Sequence, residues 1–480
     1  MAAPSPIVVW LRNDLRLDDN PALAHAAETG GPVVVLYVLD EESDGIRPLG
    51  GAHHWWLHHS LKALGASLEK LGSKLILRRG KGAEIVPEVV REAKAGGLYF
   101  NRRYDRAGRN VDDAVREALD DVEIDVFTAN ILHDPDKVKT GSGGWYKVYT
   151  PFRRKLEEAG DPRDPIDAPD ELHSPGTLPR SDRLEDWDLL PTRPDWSGGI
   201  AEAWEPGEAA GRERFATFCD ELLQGYEAGR ENPSGDETSR MSPYLKFGEV
   251  SPYRLWHEAA AVAARRKSIP SGAITTFKRE LIWRDFNTHL LFHFEALGTR
   301  DFNPRFETFE WRKAKSELEA WQRGRTGYPI VDAGMRQLWQ MGWMHNRVRM
   351  IVGSFLTRDL LIDWREGERW FWDTLVDGDA ASNTSQWQWI AGTGADAQPF
   401  FRIFNPLTQS RKFDAGGDYI RRFVPELARL PDKLIHAPWE ASETVLKKAG
   451  VTLGETYPKP IVDHDEARRR ALQAYETVKG

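Results

Sequence analysis

The chain has 480 residues, a formal net charge of −9, 40% hydrophobic and 29% charged residues, and a single cysteine. That length exceeds one ordinary core and suits about two or three domains, and the composition is globular rather than disordered. Cys219 alone excludes an internal disulfide and fits a reducing compartment, while the acidic balance excludes wholesale coating by nucleic acid but not a local basic patch. No basic segment leads into an apolar run at the start, and no stretch of about 18 apolar residues occurs anywhere. The expectation is a cytoplasmic protein with no membrane span.

Short apolar, β-branched runs stand at Ile7–Leu11, Val33–Leu39, 74–77, Gly97–Asn101 and Glu123–Phe127. Segments of helical period lie between them at Pro21–Glu28, 53–71, 83–94 and 111–119. Runs without strict polar alternation suit strands covered on both faces, so residues 1–130 read as a doubly wound, Rossmann-like parallel-sheet domain. The turn after the first strand is Arg12-Asn13-Asp14-Leu15-Arg16. It lacks the glycine fingerprint that cradles a dinucleotide phosphate, which argues against a nicotinamide dehydrogenase. Gly392-x-Gly394-x-x-Ala397 imitates that fingerprint but follows no predicted strand.

Residues 131–207 are rich in Pro, Asp and Gly and read as a long interdomain linker over the surface. From 208 to 480 helical patterns dominate, predicting an all-helical domain. Of 19 tryptophans, 12 lie from Trp256 onward. A packed core explains them, and so does stacking on flat ligands.

Several clusters carry candidate chemistry. His54 and His58 sit one helical turn apart among His53 and His59, spacing that suits a metal, but no third ligand is evident; a solvated face or a small-ligand contact is the better reading. Thr238-Ser239-Arg240-Met241-Ser242 precedes a helical run and reads either as a diphosphate site or as ordinary capping. Glu280 and Arg284 lie one turn apart beside Trp283. Trp343 to Met350 mixes Arg347, Arg349, His345 and Asn346 with aromatic and thioether groups. Asp377, Gly378, Asp379 and Asn383 follow, then Trp387 and Trp389. A flat heteroaromatic ligand needs this mixture of acids, amides, stacking walls and cations.

Five segments then carry a resemblance: Trp-Leu-Arg-Asn-Asp-Leu-Arg-Leu-Asp-Asp-Asn-Pro-Ala-Leu (10–23), Thr-Ser-Arg-Met-Ser-Pro-Tyr-Leu (238–245), Gly-Tyr-Pro-Ile-Val-Asp (327–332), Gly-Trp-Met-His-Asn-Arg (342–347) and Arg-Ile-Phe-Asn-Pro (402–406). In order and across the chain they resemble the photolyase/cryptochrome family. The resemblance implies an α/β antenna-binding domain and a helical domain that binds DNA and a U-shaped FAD, reduced and anionic when active. It implies light-driven repair: excited reduced FAD passes an electron to a cyclobutane pyrimidine dimer flipped out of the DNA, the ring splits, and the electron returns.

By position, the resemblance gives Tyr226 and Thr238, Ser239, Arg240, Met241 and Ser242 to the cofactor's phosphate and ribityl region. It gives Phe277, Arg284, Asn346, Arg349, Asp377, Gly378, Asp379 and Asn383 to the flavin surroundings, Phe277 standing where the family often has Trp. Trp283, Trp389 and Met350 resemble lesion walls, and Glu280 and Asn346 resemble the groups that bind the dimer. Arg230, Arg347, Arg402 and Gln409 match phosphate or sugar contacts. Trp387, Trp364 and Trp311 fall where the family keeps an electron relay.

The resemblance also implies a second chromophore. Ala107-Gly108 stand where one folate-binding branch has Asn-Glu, but the segment from Gly50 to Trp56 is similar to another folate-using bacterial branch, so methenyltetrahydrofolate is favoured over deazaflavin. The alternative is a cryptochrome-type photoreceptor without repair. Asn383, Glu280 and a tail of only 41 residues after Trp439 stand against it. His345-Asn346 stands against a (6-4) photoproduct enzyme, which typically has two His there. The expected partner is UV-damaged DNA, single- or double-stranded, bound by a monomer.

Overall fold

In the computed structural model, which describes residues 4–396 and 402–478, five parallel strands form one sheet. β1 (Ile7–Leu11), β2 (Val33–Leu39), β3 (Leu75–Arg79), β4 (Gly97–Asn101) and β5 (Glu123–Phe127) lie in the order β3-β2-β1-β4-β5. Ile7 pairs with Val33 on one side and Gly97 on the other. All residues of β1, β2 and β4 are buried, as helices on both faces of a parallel sheet require. Four strands match the sequence expectation. β3 starts and ends later because Arg78, though charged, is buried in the strand against Glu88 at 2.8 Å and Glu92 at 3.4 Å. Hydropathy cannot see such a pair.

The helix expected at 111–119 spans Arg106–Glu117, because Asp105 caps it by accepting the Gly108 N–H at 2.7 Å. Ala107 and Gly108 therefore lie in the first turn of this helix.

Among the described residues no strand follows β5, and Leu453 and Tyr457 make an isolated bridge. The 23-residue helix Ser271–His293 packs against Ala380–Ala391, which also meets Asn346–Ser354 and Trp364–Thr374. These four helices, with Ser242–Phe247, contribute residues to the site described below.

The connection is less superficial than expected. It contains the helix Tyr149–Ala159, whose Tyr149, Phe152 and Leu156 are buried. Beyond it the chain returns to the sheet: the Val33 N–H donates to His173 O at 2.7 Å and Asp182 N–H to Leu77 O at 2.7 Å.

The loop after β1 joins the two halves. Arg16 is buried and donates to Gly248 O at 2.8 Å and Ala129 O at 3.1 Å, while Leu15 N–H donates to Phe247 O at 3.1 Å. Gly248 has φ +65°, and a Cβ there would come within 1.9 Å of Asn13 O. At Gly50 a Cβ would meet Trp372 O at 2.3 Å. Both positions need glycine because backbone meets backbone.

Candidate active site

A cavity of about 550 Å³ opens among the helices Ser242–Phe247, Ser271–His293, Asn346–Ser354 and Ala380–Ala391. Every residue assigned above to the cofactor lines it, and so do Arg230, Glu280, Trp283, Met350 and Trp389. Sequence-distant clusters therefore converge on one space.

At its acidic end Asp377 is buried, accepts the Ser242 hydroxyl at 2.6 Å and pairs with Arg349 at 2.8 Å. Arg349 also donates to Met344 O at 2.8 Å, which fixes its head. Asp379 caps Ala380–Ala391 by accepting Ala381 and Ser382 N–H at 2.8 and 2.9 Å through one oxygen. Asn383, one turn on, donates its amide N–H groups to Glu368 O at 3.0 Å and to the Glu368 carboxylate at 2.9 Å.

The hydroxyl segment is not a capping sequence. Met241 occupies the N-cap of Ser242–Phe247 without a side-chain bond. Arg214 instead holds the segment from behind, donating to Thr238 O and Ser239 O at 3.2 Å each. Arg240 takes φ +53°, rare for a side chain with a Cβ, and packs over Trp343 at 5.2 Å while paired with Asp236 at 2.8 Å. Thr238 and Ser239 thus line the cavity without serving the helix.

On the opposite side Glu280 pairs with Arg230 at 2.7 Å and is partly exposed. Trp283 stacks face to face on Tyr149, ring centroids 3.5 Å apart and 6° between planes. The aromatic wall is therefore a double layer, and its outer ring comes from the connecting segment. Arg347 is engaged by Glu231 at 2.6 Å and lies over Phe413 at 4.4 Å. Arg402 is exposed over Phe404 at 4.9 Å and Gln409 is half-buried on Pro406–Phe413; neither they nor Arg347 line the cavity. His345 caps Asn346–Ser354 through Nδ1 at 3.2 Å. Burial, with Arg349 and Arg347 close by, pushes its pKa down to about 4, so the ring is neutral at ordinary pH.

Of the three tryptophans that the resemblance assigns to a relay, Trp387 lines the cavity with Phe371 at 4.9 Å. Trp364 is fully buried and donates to Asp301 at 2.8 Å. Both belong to one hydrophobic cluster, with Trp311 packed at its edge. Phe277 lies among Phe215, Phe218 and Tyr226 at 5.3–6.1 Å and supplies a wall without a polar group.

The histidine cluster is not a solvated face. His53 is fully buried, edge-on to Trp372 at 4.9 Å, and packs behind Gly378; His54 meets Glu41 at 2.8 Å. Among the described residues no three His, Cys, Asp or Glu side chains converge to hold a metal ion. Gly392, at φ +71°, ends the helix Ala380–Ala391; Ala397 lies outside the described residues. Sequence reasoning missed Lys246, Asn287, Gln386 and Asp396, which also line the cavity. Lys246 could have been noticed as a charge inside an otherwise apolar helix.

The donor set suits a flavin dinucleotide: hydroxyls and arginines for the diphosphate, acids and amides for ring N–H groups, and aromatic walls. Fold and cavity thus define a protein that holds a flat dinucleotide cofactor in its helical half. Residues 7–170 match the family described as DNA photolyase, and residues 277–477 match the FAD binding domain of DNA photolyase. The chain is 53% identical over 477 residues to the deoxyribodipyrimidine photo-lyase of Agrobacterium fabrum, covering 99% of this chain and 98% of the relative. Cryptochrome-1 of Arabidopsis thaliana is 36% identical, over 97% of this chain and 70% of its own. A crystal structure of a bacterial class III photolyase from Agrobacterium tumefaciens superposes with TM-score 0.96 at 52% identity, covering 100% of this chain and 98% of that one. The chain belongs to the DNA photolyase/cryptochrome family.

Proposed function

We infer that this protein is a light-driven DNA repair lyase that splits cyclobutane pyrimidine dimers. One observation carries this: the cofactor groups and the lesion groups line a single cavity, so donor and lesion share one space. When bound, reduced FAD supplies the electron that a blue photon makes available.

The chain's own residues do the rest. Arg349 and Ser242 hold Asp377 in place, and Thr238 and Ser239 offer hydroxyls toward the diphosphate. Trp283, Met350 and Trp389 wall in the extruded dimer, replacing the stacking it leaves, at a cost of a few kcal/mol that is least for a damaged pair. Glu280 and Asn346 bind the base edges, and Glu280 stabilises negative charge on the dimer by hydrogen bonding or proton sharing. Arg230, Arg347, Arg402 and Gln409 contact the backbone, which positions DNA without reading its sequence. Arg230 and Arg347 exchange their carboxylate partners Glu280 and Glu231 for DNA. Trp387, Trp364 and Trp311 relay electrons between surface and cavity.

The reading extends to a monomer acting in the cytoplasm, with methenyltetrahydrofolate as antenna. The likeness of the Gly50–Trp56 segment supports the folate; identification of released chromophores tests it. For the main activity, FAD-loaded, reduced protein under blue light restores a dimer-containing oligonucleotide. No restoration sinks the enzyme and leaves the photoreceptor reading. Glu280→Ala lowers repair per absorbed photon several-fold with FAD content unchanged; an unchanged yield removes Glu280 from the chemistry.

A further inference from the structure

We propose that Arg47, in the α/β half, is a positioning residue that sets which atom of Asn383 faces the cofactor, acting through Glu368. This rests on the flavin reading of the cavity and adds to it a control exerted from the other half of the molecule.

An amide offers two N–H donors and one oxygen acceptor, and its orientation follows from its partners. Both partners of the Asn383 nitrogen, the backbone oxygen and the carboxylate of Glu368, are acceptors. The N–H side is therefore committed to Glu368, and the oxygen is the atom left for the cavity that Asn383 lines. The backbone oxygen is a fixed acceptor, so the Glu368 carboxylate is the one of the two anchors that a change of side-chain chemistry can reverse. A protonated Glu368 could donate to the amide oxygen, turn the group over and present N–H to the cavity.

Glu368 is buried, its side chain 5% exposed, where a lone charge is costly. Arg47 meets it with two bonds, 2.7 Å to one oxygen and 3.0 Å to the other. A bidentate pair of this kind is the strong form of the interaction. Although Arg47 is 38% exposed, it is clamped: its guanidinium lies 4.1 Å from the Trp372 ring centroid, and Trp372 donates to Pro48 O at 2.9 Å. Charged or titratable groups packed around Trp372 and its helix include His53, 4.9 Å from the Trp372 ring, Lys246, 5.6 Å from it, and Asp373, which accepts Gly51 N–H at 2.9 Å. Arg47 is the cation bonded to the Glu368 carboxylate.

The chemistry at stake is a hydrogen bond of one sense or the other. A reduced flavin carries an N–H at its central ring nitrogen, and the oxidised form has a lone pair there. An amide oxygen facing that atom favours the reduced form, and an amide N–H favours the oxidised form.

The test is the reduction potential of bound FAD, measured spectroelectrochemically from pH 6 to 9 in wild type, Arg47→Met, Arg47→Lys, Glu368→Gln, Asn383→Ala and the double variant Arg47→Met/Asn383→Ala. Arg47→Met shifts the equilibrium toward oxidised FAD by about five- to tenfold, the scale of one hydrogen bond, and most at the acid end. Arg47→Lys keeps the charge and follows wild type. Glu368→Gln reproduces the acid-end value at every pH, and the double variant behaves as Asn383→Ala alone. A merely structural role for Arg47 gives a shift without pH dependence. FAD-loaded Arg47→Met matching wild type throughout, or shifted equally at every pH, overturns the positioning role alone. A wild-type protein that takes up no FAD sinks the flavin reading and this proposal with it.

Discussion

The two halves treat their polar groups in opposite ways. In a parallel sheet of this order, ligands bind beyond the carboxyl ends of the strands, where the strand order reverses, here between β1 and β4. In this protein that crevice is filled by its own side chains. Asp14 accepts Arg12 N–H at 2.5 Å and the Asn101 amide at 2.6 Å, Asn101 also donates to Asn20 at 2.8 Å, and Arg12 donates to Asn101 O. Arg16 then turns to the helical half. The helical cavity instead leaves Thr238, Ser239 and the Asn383 oxygen for something else to bind. A polar cluster bonded largely to itself, with only Arg12 Nε and Asn101 Oδ1 left over among these groups, does structural work, and an open one marks the ligand.

If so, substitutions in the two clusters should differ in kind. The largest effect is expected for Arg16→Met, which takes the Arg16 donor from buried oxygens of Gly248, Asp19 and Ala129 and from the half-buried Asn130 Oδ1. Loss of about 3–5 kcal/mol of unfolding free energy follows, read from urea titration. A change under 1 kcal/mol would break the comparison.

A middle effect falls on Glu249, which takes Trp56 Nε1–H at 3.0 Å and the Ser60 hydroxyl between the halves. Burial pushes its pKa up to about 8, against about 4.3 in an unfolded chain. Folding therefore takes up a proton between those values. The stability this contributes is complete below about pH 4 and is lost as pH rises through 8. Glu249→Gln removes about 3 kcal/mol of the fall in unfolding free energy between pH 6 and 9. Parallel pH profiles for variant and wild type would refute it.

The smallest effect is expected for Ser239→Ala. It costs about 1 kcal/mol of FAD affinity, a few-fold by titration, and leaves apo-protein stability within about 0.5 kcal/mol. An apo-protein destabilised as much as Arg16→Met would erase the distinction between the halves.

What was readable in the sequence follows the range of the forces involved. Strand and helix positions in the first 130 residues came from local periodicity, and misses such as β3 arose where Arg78 found partners on a neighbouring helix. Cavity residues were legible because they sit in contiguous motifs. The Arg47–Glu368 pair, 321 positions apart, leaves no local trace. Tyr149 was hidden in a segment whose Pro and Asp content suggested bare linker, and His53 in a cluster whose polarity suggested water. Each was decided by a contact with the other half of the chain.

Gly50 and Gly248 bring backbone against backbone between two architectures that could each have formed a separate body. With no side chain between them there is no cushion to yield, and Arg16, Glu249 and Arg47 tie the same seam. The molecule should melt cooperatively: heating a FAD-loaded sample would give one transition, in which flavin release and loss of the sheet coincide.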